Sequence, residues 1–133
     1  MPRINKMNID GTDYDIEGKK VYSLDERVMG TWIDGKPLYR KVFIVNNPVT
    51  DTVSYLSYAD LDVENLINIA GYATDGDISI PVNFYYSTAT YMYTHNDITG
   101  HRIKYKFTPW NFTTICFILE YTKSTDSLEY ASL

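Results

Sequence analysis

Polar and apolar residues alternate with a period of two along much of this chain, and Gly, Pro, Asn or Asp interrupts the alternation at spacings of roughly 8–14 residues. The pattern is cleanest in Thr90 to His95 and Arg102 to Phe107, set about Asn96-Asp97-Ile98-Thr99-Gly100. Tyr91, Tyr93 and His95 share one face of the first strand. Ile103, Tyr105 and Phe107 share one face of the second, and Arg102, Lys104 and Lys106 take its other face. This predicts a hairpin with one solvated face. Phe112 to Thr122 differs, because Ile115, Cys116, Phe117, Ile118 and Leu119 are apolar on both parities. That run predicts a central strand covered on two sides, with Phe117 and Leu119 in the core.

Further elements follow from turn chemistry. Ile4 to Ile9 and Tyr14 to Ile16 flank Asp10-Gly11, which predicts a small hairpin or arm over residues 1–17. Ser23 with Glu26 has capping-box spacing and predicts a short helical turn ended by Gly30. Thr31-Trp32-Ile33 has strand composition, and Asp34-Gly35 predicts a type I′ turn leading into Leu38 to Val45, with Trp32 anchored against the core. Val53 to Tyr58 is expected to pair with Leu38 to Val45 across the Asn46 to Asp51 turn region. Asp60 to Asn68 predicts a turn or one helical turn, followed by a strand from Ile67 to Ala73 and a turn at Asp75-Gly76-Asp77. Ile78 to Tyr86 reads as one strand in which Pro81 marks an edge, since proline cannot donate to a ladder. Ser124 to Leu133 is polar and without period, and predicts a loose tail over 124–133. Seven to nine such strands give one all-β domain over 1–133: an antiparallel β-sandwich, jelly-roll-like or barrel-like in variant, with at most one or two short helical turns.

Composition narrows the class. A chain of 133 residues forms one ordinary domain and buries roughly two-thirds of its unfolded surface. Hydrophobic residues at 44% and charged residues at 22% exclude wholesale disorder, and 13 Tyr, 5 Phe and 2 Trp tilt the chain toward strands. A net charge of −5 disfavours nucleic acid and anionic membrane as partners. The longest apolar run, Ile115 to Leu119, is far too short to span a bilayer as a helix, and Met1-Pro2-Arg3-Ile4-Asn5 lacks the apolar stretch of a secretory signal, so a soluble chain is expected. Cys116 is the single cysteine and is expected to act as a small buried hydrophobe.

Catalytic patterns are absent from the sequence. It contains no Gly-x-Ser-x-Gly elbow, no phosphate-binding Gly-rich loop and no dinucleotide fingerprint. His95 and His101 lie across a predicted turn without further ligands to complete a zinc set. Asp10, Asp13, Asp15 and Glu17 lack the Gly and terminal Glu of an EF-hand loop and read as a solvated acidic turn. Asn111-Phe112-Thr113 matches a glycosylation acceptor only by coincidence, at the start of a core strand. The expectation is a protein with no catalytic residues, no metal and no cofactor. The aromatics suggest binding instead: Tyr85, Tyr86, Tyr91, Tyr93 and Trp110 cluster in one part of the sequence, and Tyr and Trp rings stack on sugars while their polar tips bond hydroxyls. These five are the candidate glycan- or partner-contacting residues. The competing reading places them in the core or a subunit interface.

Ser23-Leu24-Asp25-Glu26 and Val28-Met29-Gly30-Thr31-Trp32-Ile33-Asp34-Gly35-Lys36-Pro37-Leu38-Tyr39-Arg40-Lys41 resemble a signature of small domains in structural proteins of tailed bacteriophages and prophages, of the fibre, tail or head-appendage type. Leu119-Glu120-Tyr121-Thr122-Lys123-Ser124-Thr125-Asp126 resembles the strand that closes such chains, and Ile69-Ala70-Gly71 with Gly76 to Pro81 matches loosely. The resemblance implies a non-enzymatic virion protein, assembled in the host cytoplasm, that mediates assembly or host-surface attachment. Its implied partners are copies of itself, with a trimer favoured, other virion proteins and bacterial surface glycan. A glycan-binding receptor-recognition adhesin is the alternative, and a small glycan hydrolase a third reading that rests on carboxylates alone.

Overall fold

A computed structural model describes residues 22–126 and, as backbone, the strands Lys6–Ile9 and Thr12–Asp15. In chain order the strands are β1 (Lys6–Ile9), β2 (Thr12–Asp15), β3 (Arg27–Thr31), β4 (Pro37–Asn46), β5 (Ser54–Ser57), β6 (Val63–Thr74), β7 (Ser79–Pro81), β8 (Phe84–Ser87), β9 (Thr90–Asp97), β10 (Arg102–Thr108) and β11 (Thr114–Lys123). One 3₁₀ turn, Ala59–Leu61, precedes β6. β1 and β2 pair antiparallel with Ile9 opposite Thr12, as the hairpin reading of the first residues requires. The rest of the 1–17 arm, its acidic side chains and residues 127–133 of the expected tail lie outside the described residues.

The remaining strands form two antiparallel sheets, one of order β3-β4-β11-β6-β7 and one of order β5-β10-β9-β8. They enclose a single hydrophobic core, which makes this the all-β sandwich that the period-two pattern predicts. β11 contributes Ile115, Phe117, Leu119 and Tyr121, all fully buried, and β10 answers with Ile103, Tyr105 and Phe107. Tyr105 and Phe117 meet across the sheets with ring centroids 5.3 Å apart. Truncating Phe117 or Leu119 would cost roughly 2–5 kcal/mol, the range for large-to-small changes at well-packed positions.

β11 is central, bonded to β4 on one side and β6 on the other. Its second face is not covered by another layer among the described residues: Cys116 lies low between Ile44 and Tyr72, which are both exposed. The apolar run therefore marks a central strand, but only one of its faces meets the opposite sheet. Near the end of that open face, Arg40 donates from Nε and Nη2 to Glu120 Oε2 at 2.9 and 2.7 Å, with Tyr22 stacked on its guanidinium.

Several local expectations are corrected. Ser23 and Glu26 cap no helix. Ser23 Oγ accepts from Asp25 N at 3.0 Å in a local turn, while Glu26 takes the Tyr121 hydroxyl and pairs with Lys123 at 2.7 Å, so tertiary partners replace the capping box. The turn after β3 is a three-residue loop, Ile33-Asp34-Gly35, with Gly35 N bonded to Trp32 O at 2.9 Å and Gly35 at φ +90°. That is a type I turn closed by a left-handed glycine, not a type I′ turn. Trp32 is half-buried and stands outside the core cluster. β5 does not pair with β4; the chain crosses to the other sheet through Asn47 and Asp51, both at positive φ, and β5 pairs with β10. Ile78 to Tyr86 is two strands in two sheets, β7 and β8, with buried Val82 at the crossing. Pro81 does lie on an edge strand, β7.

Candidate functional site

The outer face of the four-stranded sheet carries the candidate site, and strand register decides its composition. The inward positions of β9 and β10 are taken by Met92 and Thr94 and by Ile103, Tyr105 and Phe107. The alternate positions must therefore point to solvent. Tyr91, Tyr93 and His95 form a ladder there, with near-parallel rings: 6.1 Å between the Tyr91 and Tyr93 centroids and 4.9 Å between Tyr93 and His95. Both tyrosines are half-buried by their neighbours on this face, and neither is a core residue.

Edge strand β8 extends the ladder sideways. Tyr85 pairs with Tyr91 and is 70% exposed, so its ring adds to the same face. The strand is held by Asn83, whose Oδ1 accepts from Thr94 N at 2.9 Å, and by Thr94 Oγ1 donating to Val82 O at 2.7 Å. Asn83, Phe84, Tyr85, Thr88, Tyr91, Met92 and Tyr93 line an open hollow of about 610 Å³. Its described lining is mostly aromatic, with Asn83 and Thr88 as polar members and no carboxylate, so the acid pair of a glycan hydrolase is not placed there.

Three of the five candidate residues, Tyr85, Tyr91 and Tyr93, thus converge. Tyr86 sits in the β8 bulge, 77% exposed, and is not part of the hollow's lining. Trp110 belongs to the core margin: its ring lies 5.2 Å from Phe112 and 6.0 Å from Phe84, so it supports the hollow's floor through Phe84.

The cations on the solvated face of β10 are not among the five candidate residues, yet they stand beside two of them, Tyr91 and Tyr93. Lys104 is opposite His95 and Tyr55, Lys106 is opposite Tyr93, and Arg102 is opposite Asp97. Arg102 Nε donates to Asp97 Oδ2 at 2.7 Å, and its guanidinium lies 3.7 Å from the Tyr55 ring centroid. The Arg102 contact, followed by the bond from Gly100 N, holds the Asp97 carboxyl below its usual pKa. Lys106 bonds the Tyr91 hydroxyl and faces Asp51 at 3.5 Å; these contacts, the Tyr91 bond foremost, raise its pKa. The alternation alone separates Lys104 and Lys106 from Ile103 and Tyr105, but only the register of the β9–β10 turn places them beside Tyr93 and His95.

His95 and His101 do not form a metal pair. His95 stacks on Tyr93, His101 packs edge-on to Tyr58, and no group of three His, Cys, Asp or Glu side chains suited to a metal occurs among the described residues. Burial pushes the Cys116 thiol pKa up, which favours the inert form. A second hollow, of about 240 Å³, lies between Tyr58, Leu66, Asn96 and His101, where the Tyr58 hydroxyl donates to Asn96 Oδ1. Compared with known proteins, the chain matches no family model, no curated protein and no solved structure.

Proposed function

We propose that the chain is a non-enzymatic structural module of a tailed-phage or prophage virion, of fibre, tail or head-appendage type, and that it attaches to host-surface glycan through the outer face of its four-stranded sheet. The virion part of this reading rests on the resemblance of the Ser23–Lys41 and Leu119–Asp126 segments. The attachment part rests on one observation: Tyr85, Tyr91 and Tyr93 gather around an open hollow on a solvent face instead of filling the core. Exposed aromatic surface of that kind costs solubility unless it meets a ligand, and tyrosine suits a sugar, with a ring to stack and a hydroxyl to bond. A receptor-recognition adhesin is the same site used at the tip of a longer assembly.

The test is a bacterial polysaccharide array probed with the wild-type chain and with Tyr91→Ala/Tyr93→Ala. Binding by the wild type, lost in the double variant with an unchanged circular dichroism spectrum, is the expected result. Equal binding by both proteins would move the contact surface elsewhere.

A further inference from the structure

On the outer face of β10 the side chains of Arg102, Lys104 and Lys106 follow one another, and aromatic columns stand on both sides: Tyr55 on β5, and His95, Tyr93 and Tyr91 on β9. Successive cations on one strand face are about 7 Å apart, twice the strand rise. The three cations are not equivalent. Arg102 is held by Asp97 and stacked on Tyr55, so its charge is spent within the protein. Lys104 is in no direct ion pair among the described residues; Tyr55 and His95 flank it, and its charge reaches the Asp97 carboxylate, already bonded to Arg102, only through space. Lys106 bonds the uncharged Tyr91 hydroxyl, and its countercharge, Asp51, stands at 3.5 Å with a side chain that is 69% exposed. Pairs of that kind contribute little and yield readily to a better-placed anion.

A chain of net charge −5 thus presents two available ammonium groups beside a tyrosine ladder. Taking the glycan-contact reading above as its premise, we propose that the glycan is acidic: a polysaccharide with carboxylates on its repeating sugars, whose rings stack along Tyr91 and Tyr93 while Lys104 and Lys106 take the carboxylates. Neutral sugar hydroxyls would accept from the lysines but would compensate their desolvation less than an anion does. Carboxylates compensate them directly through charge-assisted hydrogen bonds. Single-stranded nucleic acid also combines aromatic stacking with cations, but it demands a positive field along its backbone, and the overall charge of this chain opposes that. The acidic residues elsewhere leave the attraction local, so it acts at contact and not by long-range steering.

The experiment measures binding of the full chain to polygalacturonate, alginate and hyaluronan, each beside its carboxyl-reduced neutral counterpart, and to a single-stranded oligothymidylate. The expected result is binding to at least one polyuronate about tenfold tighter than to its reduced form, weakening as salt rises. Lys104→Gln/Lys106→Gln should remove that preference. Arg27→Gln/Lys41→Gln, which removes the same two positive charges from the other sheet, should leave it intact. Lys104→Gln alone keeps the Lys106–Tyr91 contact and should lower the preference without disturbing the fold. Equal affinity for acidic and reduced forms, still abolished by Tyr91→Ala/Tyr93→Ala, would overturn the acidic inference and leave the glycan reading standing. A preference that survives the double lysine change, or tighter binding to the oligonucleotide, would also overturn it. No binding to any acidic or reduced probe would overturn the inference, and failure on the bacterial array as well would remove the glycan reading with it.

Discussion

Gly71 shows how a single residue can be required by a contact far away in sequence. It lies in β6 opposite Phe117, at φ +129°, and a Cβ added there would stand 1.8 Å from the backbone oxygen of Cys116. No side-chain rearrangement relieves a clash with a central-strand carbonyl, so Gly71→Ala should cost roughly 3 kcal/mol or more, or prevent folding altogether. Urea unfolding measures this directly, and an unchanged midpoint would contradict the close approach. Gly35 is the contrasting case. Its positive φ is legible from Asp34-Gly35 because a turn is a local object, whereas nothing in Ile69-Ala70-Gly71 reveals that Cys116 lies against it. Cys116 itself was legible as a buried hydrophobe, because its apolar neighbours on both parities are sequence neighbours.

At the scale of elements, two hairpin turns are held by carboxylates. Asp75 Oδ1 accepts from Ile78 N and Asp77 N, each at 2.8 Å, and these bonds lower its pKa below the ordinary 3.8. Asp97 is lowered likewise by Arg102 and then by Gly100 N. A carboxylate whose folded pKa lies below its unfolded value binds fewer protons when native. Its contribution is complete above pH 3.8 and is lost as the pH falls through the lowered folded value. The melting temperature should therefore fall as the medium is acidified below about pH 4. Asp97→Asn should melt lower than wild type at pH 7 and lose less on acidification. Parallel curves for the two proteins would show that the turn carboxylate contributes nothing to this dependence. The turn at Asp75-Gly76-Asp77 was legible because asparagine-like side chains bond the backbone just ahead of them. The Ser23 to Glu26 pattern misled, because its spacing is satisfied equally by a loop whose Glu26 is drawn away to Tyr121 and Lys123.

For the whole molecule, the sandwich was legible because alternation reports how many strand faces must be buried. Which strands pair was not. β5 finds β10 across the 3₁₀ turn and four intervening strands, and Val82 moves a single apolar run from one sheet to the other. The same gap separates the candidate site as read from sequence and as folded: the tyrosines were visible as a cluster, but Lys104 and Lys106 join them only because Arg102 pairs with Asp97 and not with a neighbour one residue away. The proposed virion role carries an assembly prediction at this scale. Light scattering at micromolar concentration should return about three times the 15.4 kDa chain mass. A clean monomer would remove the stand-alone trimer from the proposal.

If one face of one sheet makes the glycan contact, an NMR titration of the isotopically labelled chain with a polysaccharide it binds will map it there. Backbone and side-chain signals of Tyr85, Tyr91, Tyr93, His95, Lys104 and Lys106 should shift together and saturate with one affinity, while those of Ile44, Tyr72 and Ile118 on the open face of the other sheet stay still. Shifts confined to Ile44, Tyr72 and Ile118, with the β9–β10 face unmoved, would contradict it.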